Sequence, residues 1–247
     1  MLARLTLRLE ANKFDYKKSS ALQGVLFENI DDEYADYLHQ QQLHPYSQYV
    51  YKKNDNILWV INTLNNEAYS KIIKKLYSEE FNQFHLKKGN ADVGILNKDV
   101  EELSKEELVK EFNTLSSDKT INIQLISPMA FKQRGNYIAL PDIRLIYQSI
   151  MNKYSASSDK YEMIDEETLE QMVLSSAITK FNIRSVAFPL EGIRVPGAIG
   201  DIRIKIYGSD IMARYARLLF RFAEYSGVGV KTAMGMGAIR IREKGYE

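Results

Sequence analysis

Two parts of this sequence carry side chains that could do chemistry. One is the set of three histidines, His39, His44 and His85, the first two lying five residues apart in YLHQQQLHPYS. The other is SGVGVKTAMGMGAIRIR, residues 226–242, where four glycines, Lys231 and Thr232 crowd between a helical pattern and an alternating one. Histidine titrates near neutral pH and can act there as a base or an acid. On residue type and spacing alone, His39 is a residue at a helix C-terminus favoured by the dipole, and His44 is a turn residue before Pro45. His85 sits on a strand with apolar neighbours and reads as structural.

The glycine run fails the tests for a nucleotide loop. A P-loop needs G-x-x-x-x-G-K-[ST] between a strand and a helix, but here Val230 precedes Lys231 and the order is helix, loop, strand. The dinucleotide fingerprint fails as well, because Thr232 stands where the third glycine belongs. Two readings remain open: a tight turn beside solvated arginines, or a surface that tracks a polyphosphate backbone. Arg214, Arg217 and Arg221 share one face of the preceding helix, and Ile211, Tyr215, Leu218 and Phe222 form its expected buried stripe. Arg240 and Arg242 occupy one face of the last strand.

The elements that must position these groups follow from periodicity. Residues 2–9 alternate as a strand. SSALQGVLFENI is a helix opening on serines suited to capping, and DDEYADYLHQQ extends it or adds a second turn. YSQYVYKKNDNILWVINTL reads as two strands joined at residues 53–55. NNEAYSKIIKKLYSEE is an amphipathic helix capped by Asn65 or Asn66, and FNQFHLKKGNADVGIL is a strand region interrupted by Gly89. The order β-α-β-β-α-β is ferredoxin-like. The acidic stretch 99–112 and NTLSSDKT read as the hand-over to a second half. There TINIQLIS is a strand ended by Pro128, and LPDIRLIYQSIMNKY is a helix. A polar insertion follows, leading to a short helix near 166–174. AITKFNIRSVAFPL and GDIRIKIYG are strands linked by the Gly- and Pro-containing EGIRVPGAIG as a hairpin. The helix SDIMARYARLLFRFAEYSG starts at Ser209 and stops at Gly227. The expected fold class is α+β, two tandem ferredoxin-like domains, 1–115 and 116–247.

Composition agrees with a folded chain. Of 247 residues 45% are hydrophobic and 11% aromatic, and the net charge is +1, so nothing reads as disordered. Cysteine is absent, which removes disulfides and thiolate zinc sites. No H-E-x-x-H or clustered D-x-D motif suggests a metal, and no cofactor is expected. The alternating N-terminus and the lack of a long apolar run predict a soluble, cytoplasmic protein with no membrane contact.

A duplicated ferredoxin-like chain ending in AEYSGVGVKTAMGMGAIRI resembles the CRISPR-associated endoribonucleases of the RAMP superfamily that process repeat RNA. Gly227, Gly229, Lys231, Gly235 and Gly237 match the G-x-G-x-K-x-x-x-G-x-G loop of that family. SALQGVLFENI resembles its first helix, IQLISPMAF its strand ending in Ser-Pro, and ADYLHQ the helix end that carries a catalytic histidine. The resemblance implies metal-independent cleavage, in which a 2′-hydroxyl attacks its own phosphate to leave a 2′,3′-cyclic phosphate and a 5′-hydroxyl. It implies His39 as a catalytic residue and His44 as a second acid–base group or an electrostatic stabiliser. Some relatives carry a tyrosine in the first helix; Phe27 stands there in this chain, and Tyr46 and Tyr49 are nearby in sequence.

By the same resemblance, the RNA-binding positions are Gly227, Gly229, Lys231, Thr232, Gly235 and Gly237, with Lys132 and Arg134 in FKQRGNY and Arg194 in EGIRVPGAIG. The implied partner is CRISPR repeat RNA, with transient contact to a type III effector complex and a monomeric or homodimeric state. The alternative is a non-catalytic RNA-binding subunit of an effector complex. A glycine-loop nucleotide enzyme is disfavoured by the spacing.

Overall fold

The computed structural model describes residues 1–11, 14–87, 89–114, 118–157, 166–190 and 192–242. In the first half, β1 (Leu2–Glu10) leads through a short turn to α1 (Ser19–Glu28) and α2 (Asp32–Gln40), then to β2 (Tyr46–Lys53) and β3 (Asn56–Thr63). Asn54 and Asp55 join β2 to β3 with φ of 46° and 59°, the two-residue hairpin geometry that Asn and Asp accept. A helical stretch follows as α3 (Asn66–Ala68), a π-helical turn (Tyr69–Ile73) and α4 (Lys74–Tyr77). Asn65 caps it by accepting from the Ala68 amide at 2.8 Å. β4 (Gln83–Leu86) and β5 (Ala91–Leu103) complete a five-stranded antiparallel sheet in the order β2-β3-β1-β5-β4.

After α5 (Lys105–Thr114), the second half runs β6 (Thr120–Met129), β7 (Phe131–Gln133), β8 (Asn136–Ile138), α6 (Ile143–Ala156) and α7 (Glu166–Leu174). β9 (Ser176–Leu190), β10 (Ile193–Ile206), α8 (Asp210–Ser226) and β11 (Ile239–Arg242) follow. Its sheet has the order β11-β6-β10-β9, all antiparallel. In both sheets the first strand of the half is central, the ferredoxin-like arrangement. Each sheet lays its alternating apolar side chains on its own helices: Leu5, Leu7, Trp59 and Ile61 pack with Leu22, Leu26 and Leu38 in one core. Ile121, Ile123, Ile202 and Ile204 pack with Ile146, Ile150, Leu219 and Phe220 in the other. Burying each such side chain contributes roughly 1.5–3 kcal/mol.

Several boundaries differ from those expected. The acidic stretch 99–112 is a hand-over only in its later part: β5 continues to Leu103, because β1 pairs with it along its whole length from Glu10 to Leu2, and among the described residues α5 alone lies between the two sheets. α5 then opens on a capping box, with the Ser104 Oγ accepting from the Glu107 amide and Glu107 accepting from the Ser104 amide. The domain boundary at 115/116 and part of the polar insertion lie outside the described residues. Pro128 does not end β6, which runs on to Met129; its carbonyl accepts from the Gly237 amide instead. β9 and β10 form the expected hairpin, but its turn is short, since all but the first two residues of EGIRVPGAIG belong to β10. Pro196 is tolerated there because it lies beyond the end of β6, where β10 has a neighbour on one side only.

Two helix readings also change. Ser19 is not a cap: the N-cap of α1 is Lys18, and the Ser19 hydroxyl turns inward to accept from the Val50 amide. On α8 the buried face is Ala213, Ala216, Leu219, Phe220 and Ala223 together with Phe222, while Ile211 is exposed. Arg217 is tied to the carbonyls of Asp118 and Thr120 rather than free in solvent. No helix among the described residues is long and apolar enough to cross a membrane.

Candidate active site

The two halves meet along the glycine loop. Gln48, fully buried on β2, accepts from Trp59 Nε1 at 2.6 Å and donates to the carbonyls of Ser19 at 3.1 Å and Ala233 at 3.0 Å. One side chain thus ties β3, α1 and the loop together. The glycines are needed because neighbours come too close for any side chain. A Cβ on Gly229 would stand 2.1 Å from the Ala130 carbonyl oxygen, and one on Gly235 would stand 2.1 Å from Ser19 Cβ. At Gly237 it would lie 2.0 Å from the Val228 carbonyl oxygen, and at Gly227 2.8 Å from Thr232 Cγ2. All four have positive φ. Gly227, Gly235, Gly237 and Thr232 are buried, so they shape the loop from inside; Lys231, held at φ 59°, is the exposed tip.

A cleft of about 1140 Å³ opens between this loop, α1, the end of α2 and the β7–β8 hairpin. His39, His44, Lys132, Gly229, Lys231 and Thr232 all line it, so the expected residues from three distant stretches converge. Arg134, at the β7–β8 turn with φ 49°, and Arg194, near the tip of the β9–β10 hairpin, are exposed but do not line the cleft. Among the described residues four lysines and one glutamate line it, and that glutamate, Glu28, pairs with Lys87. The surface therefore favours an anion. Among the described residues no group of three or more histidines, aspartates or glutamates converges as metal ligands would.

His39 occupies the last turn of α2 and is exposed, its ring tilted against Phe27 with centroids 4.6 Å apart. His44 is half-buried, 5.5 Å from the Tyr46 ring, and its Nδ1 is buried without a partner. Burial lowers its pKa first, and the charges of His39 and Lys231 lower it further. His39, His44 and Lys231 thus form one electrostatic unit that biases His44 toward its neutral form.

Neither nearby tyrosine offers a phenol to the cleft. Tyr46 is fully buried with its hydroxyl accepting from Gln23 at 3.0 Å, and burial raises its pKa. Tyr49 is buried among Val60 and Ala238. Three cleft-lining groups were not expected from the sequence: Tyr137 on β8, Lys153 on α6, and His85. His85 stands on β4 as expected, but its side chain is 47% exposed and its Nδ1 lies 2.7 Å from Asp92. A signal for Lys153 was present, since Ile146, Ile150 and Lys153 fall at i, i+4, i+7 and set a lysine on the apolar face of α6.

The family model described as "CRISPR-associated endoribonuclease Cas6" matches residues 123–239. A Streptococcus thermophilus protein named CRISPR-associated endoribonuclease Cas6 is 32% identical over 222 residues, 90% of each chain. The chain belongs to the Cas6 family. A Mycobacterium tuberculosis Cas6 is 33% identical over 247 residues, covering 98% of this chain and 78% of its own. Among solved structures, a Cas6 product complex superposes with a TM-score of 0.82 at 21% identity, covering 98% of this chain and 99% of that one. A Thermus thermophilus Cas6 gives 0.72 at 21% identity, covering 98% of each. These structural likenesses establish the Cas6 fold, tandem ferredoxin-like units in α+β arrangement, as the fold of this chain.

Proposed function

We propose that this member of the Cas6 family cleaves CRISPR precursor RNA within the repeat, by transesterification and without a metal. The observation that carries the reading is the convergence of His39, His44 and Lys231 in one cleft. The 2′-hydroxyl attacks the adjacent phosphorus as the P–O5′ bond breaks, leaving a 2′,3′-cyclic phosphate and a 5′-hydroxyl. His44, biased toward its neutral form by burial, suits the base that takes the 2′-proton. His39, more exposed, suits the acid that protonates the departing 5′-oxygen. Lys231 at the loop tip suits the cation that steadies the crowded phosphate. Phe27 has no hydroxyl to contribute; its place against His39 suits it to hold that ring in line.

The exposed cations Lys132, Arg134 and Arg194 suit contacts with the RNA backbone on either side of the cut, with specificity concentrated at unpaired nucleotides or a stem base. A type III system, with transient contact to its effector complex, fits the short insertions and the histidine pair.

The test is a gel assay of labelled repeat RNA in EDTA with wild type, His39→Ala and His44→Ala, beside RNA lacking the 2′-hydroxyl at the cut site. Loss of cutting by a factor on the order of 10²–10⁴ in each variant, and complete loss on the deoxy substrate, is expected. Binding without cutting by wild type would instead identify a non-catalytic RNA-binding subunit.

A further inference from the structure

Lys153 takes part in none of the steps above. It lies on the inner face of α6 with 7% of its surface exposed. Its Nζ donates to the carbonyls of Gly227 and Gly229 at 3.0 Å each and of Ser226 at 3.5 Å. Ser149, one turn earlier on the same helix, accepts from the Gly229 amide at 2.7 Å. One helix therefore grips Gly229 by both its N–H and its C=O. Two residues further on, Lys231 turns into the cleft, which Lys153 also lines.

Among the described residues no carboxylate pairs with Lys153, and a buried ammonium without one is unfavourable. Three carbonyl oxygens at the negative end of α8 compensate in part. An anion lodged in the cleft would supply the rest. We propose that Lys153 is a positioning residue that holds the glycine loop in its RNA-binding shape, and that binding of an RNA phosphate in the cleft is linked to protonation of its amine. This rests on the cleft being the repeat-RNA site.

Burial pushes the Lys153 pKa down to about 7 in the free protein. Above that pH, binding must be accompanied by uptake of a proton. The titratable and charged groups that share the cleft are Lys132 from β7 and Tyr137 from β8, Lys231 from the loop, His39 from α2 and His44 from the segment after it. Among the described residues, His85 and Lys87 at the β4 end, with Glu28 from α1, complete the set, and α8 faces Lys153 through backbone carbonyls. The ordinary histidine range lies below the window in which the amine would titrate.

The experiment measures the affinity for the repeat RNA of the host's CRISPR array, 2′-deoxy at the mapped cut site, at fixed ionic strength from pH 7 to 9. Wild-type affinity is expected to fall with pH, approaching about tenfold per unit. Lys153→Arg keeps its charge and should bind without that dependence. Lys153→Met should bind more weakly with the slope gone. Ser149→Ala loosens the same loop without removing a titrating group, so it should weaken binding several-fold yet retain the wild-type slope; this variant serves if Lys153→Met fails to fold. A flat wild-type profile, or a slope that survives in Lys153→Arg, overturns the proposal. Absence of RNA binding by wild type at every pH overturns it together with the reading of the cleft, and so is distinguishable.

Discussion

Phe27 lays its ring against His39, with centroids 4.6 Å apart and planes at 47°. The contact joins α1 to the last turn of α2, so the packing of two helices fixes the direction of an otherwise exposed imidazole. A ring contact of this kind contributes about 0.5–1.5 kcal/mol beyond buried area. Phe27→Ala is therefore expected to slow single-turnover cutting by up to about tenfold. Affinity for uncut RNA should change by less than about twofold, since the ring carries no charge or donor. Equal losses in rate and affinity would show that Phe27 supports the cleft as a whole rather than His39.

The pH dependence of cutting follows from His44. Its pKa is lowered by burial, by His39 and by Lys231, so the neutral base survives to lower pH than an ordinary histidine would allow. The acid limb of the single-turnover rate should therefore lie below pH 6.5, the ordinary value. Lys231→Ala removes one of the three causes and should move that limb upward. A limb at or above the ordinary histidine range, or one indifferent to Lys231, would rule out His44 as the base.

Lys153 also makes a prediction for the free protein. Its folded pKa, about 7, lies below that of an exposed lysine in the unfolded chain. Below pH 7 the amine is charged in both states, and the folded state bears the burial. Between 7 and about 10.4 the unfolded chain binds more protons, so stability rises with pH. Relative to Lys153→Met, wild type should gain up to about 1.4 kcal/mol per pH unit from pH 7 to 9 in urea unfolding. A wild-type-minus-variant difference that stays constant over that range would remove the buried ammonium from the account.

Glycines 24 and 229 should respond oppositely to alanine. Gly24 lies within α1 with nothing inside 4 Å of an added Cβ, so Gly24→Ala should stabilise by roughly 0.5–1 kcal/mol. Gly229 has φ 86° and the Ala130 carbonyl oxygen 2.1 Å from the added carbon. Gly229→Ala should destabilise by at least about 1–3 kcal/mol and weaken RNA binding, as the loop shifts Lys231. Thermal unfolding of both variants provides the check, and a neutral Gly229→Ala would show that the loop is not anchored as described.

Much was set by local pattern. The period-2 runs of β1 and β6, the β-branched and aromatic runs of β2 and β3, the amphipathic helices, and the β-α-β-β-α-β order are short-range signals that a strand or helix must satisfy wherever it lies. The spacing of Gly227, Gly229, Lys231, Gly235 and Gly237, with His39 closing a helix, carried the family. What local pattern could not supply depended on partners far along the chain. Residues 99–103 look like a solvated acidic run, yet they are strand because β1 offers a paired edge up to Leu2. Ile211 fits a helical stripe, yet it is exposed because α8 buries its alanine and phenylalanine face on the second sheet. His85 reads as structural on its strand, and only the folding of β4 against β5 sets it at the cleft with Asp92 at its Nδ1. Lys153 drew no reading from the sequence, and its role depends on the end of α8, which brings three carbonyl oxygens to its amine. The sequence by itself set most of the elements and their order and pointed to His39 and His44; the folded chain decided which charges share one cleft, because burial and Coulomb interaction depend on distance in space and not on separation along the chain.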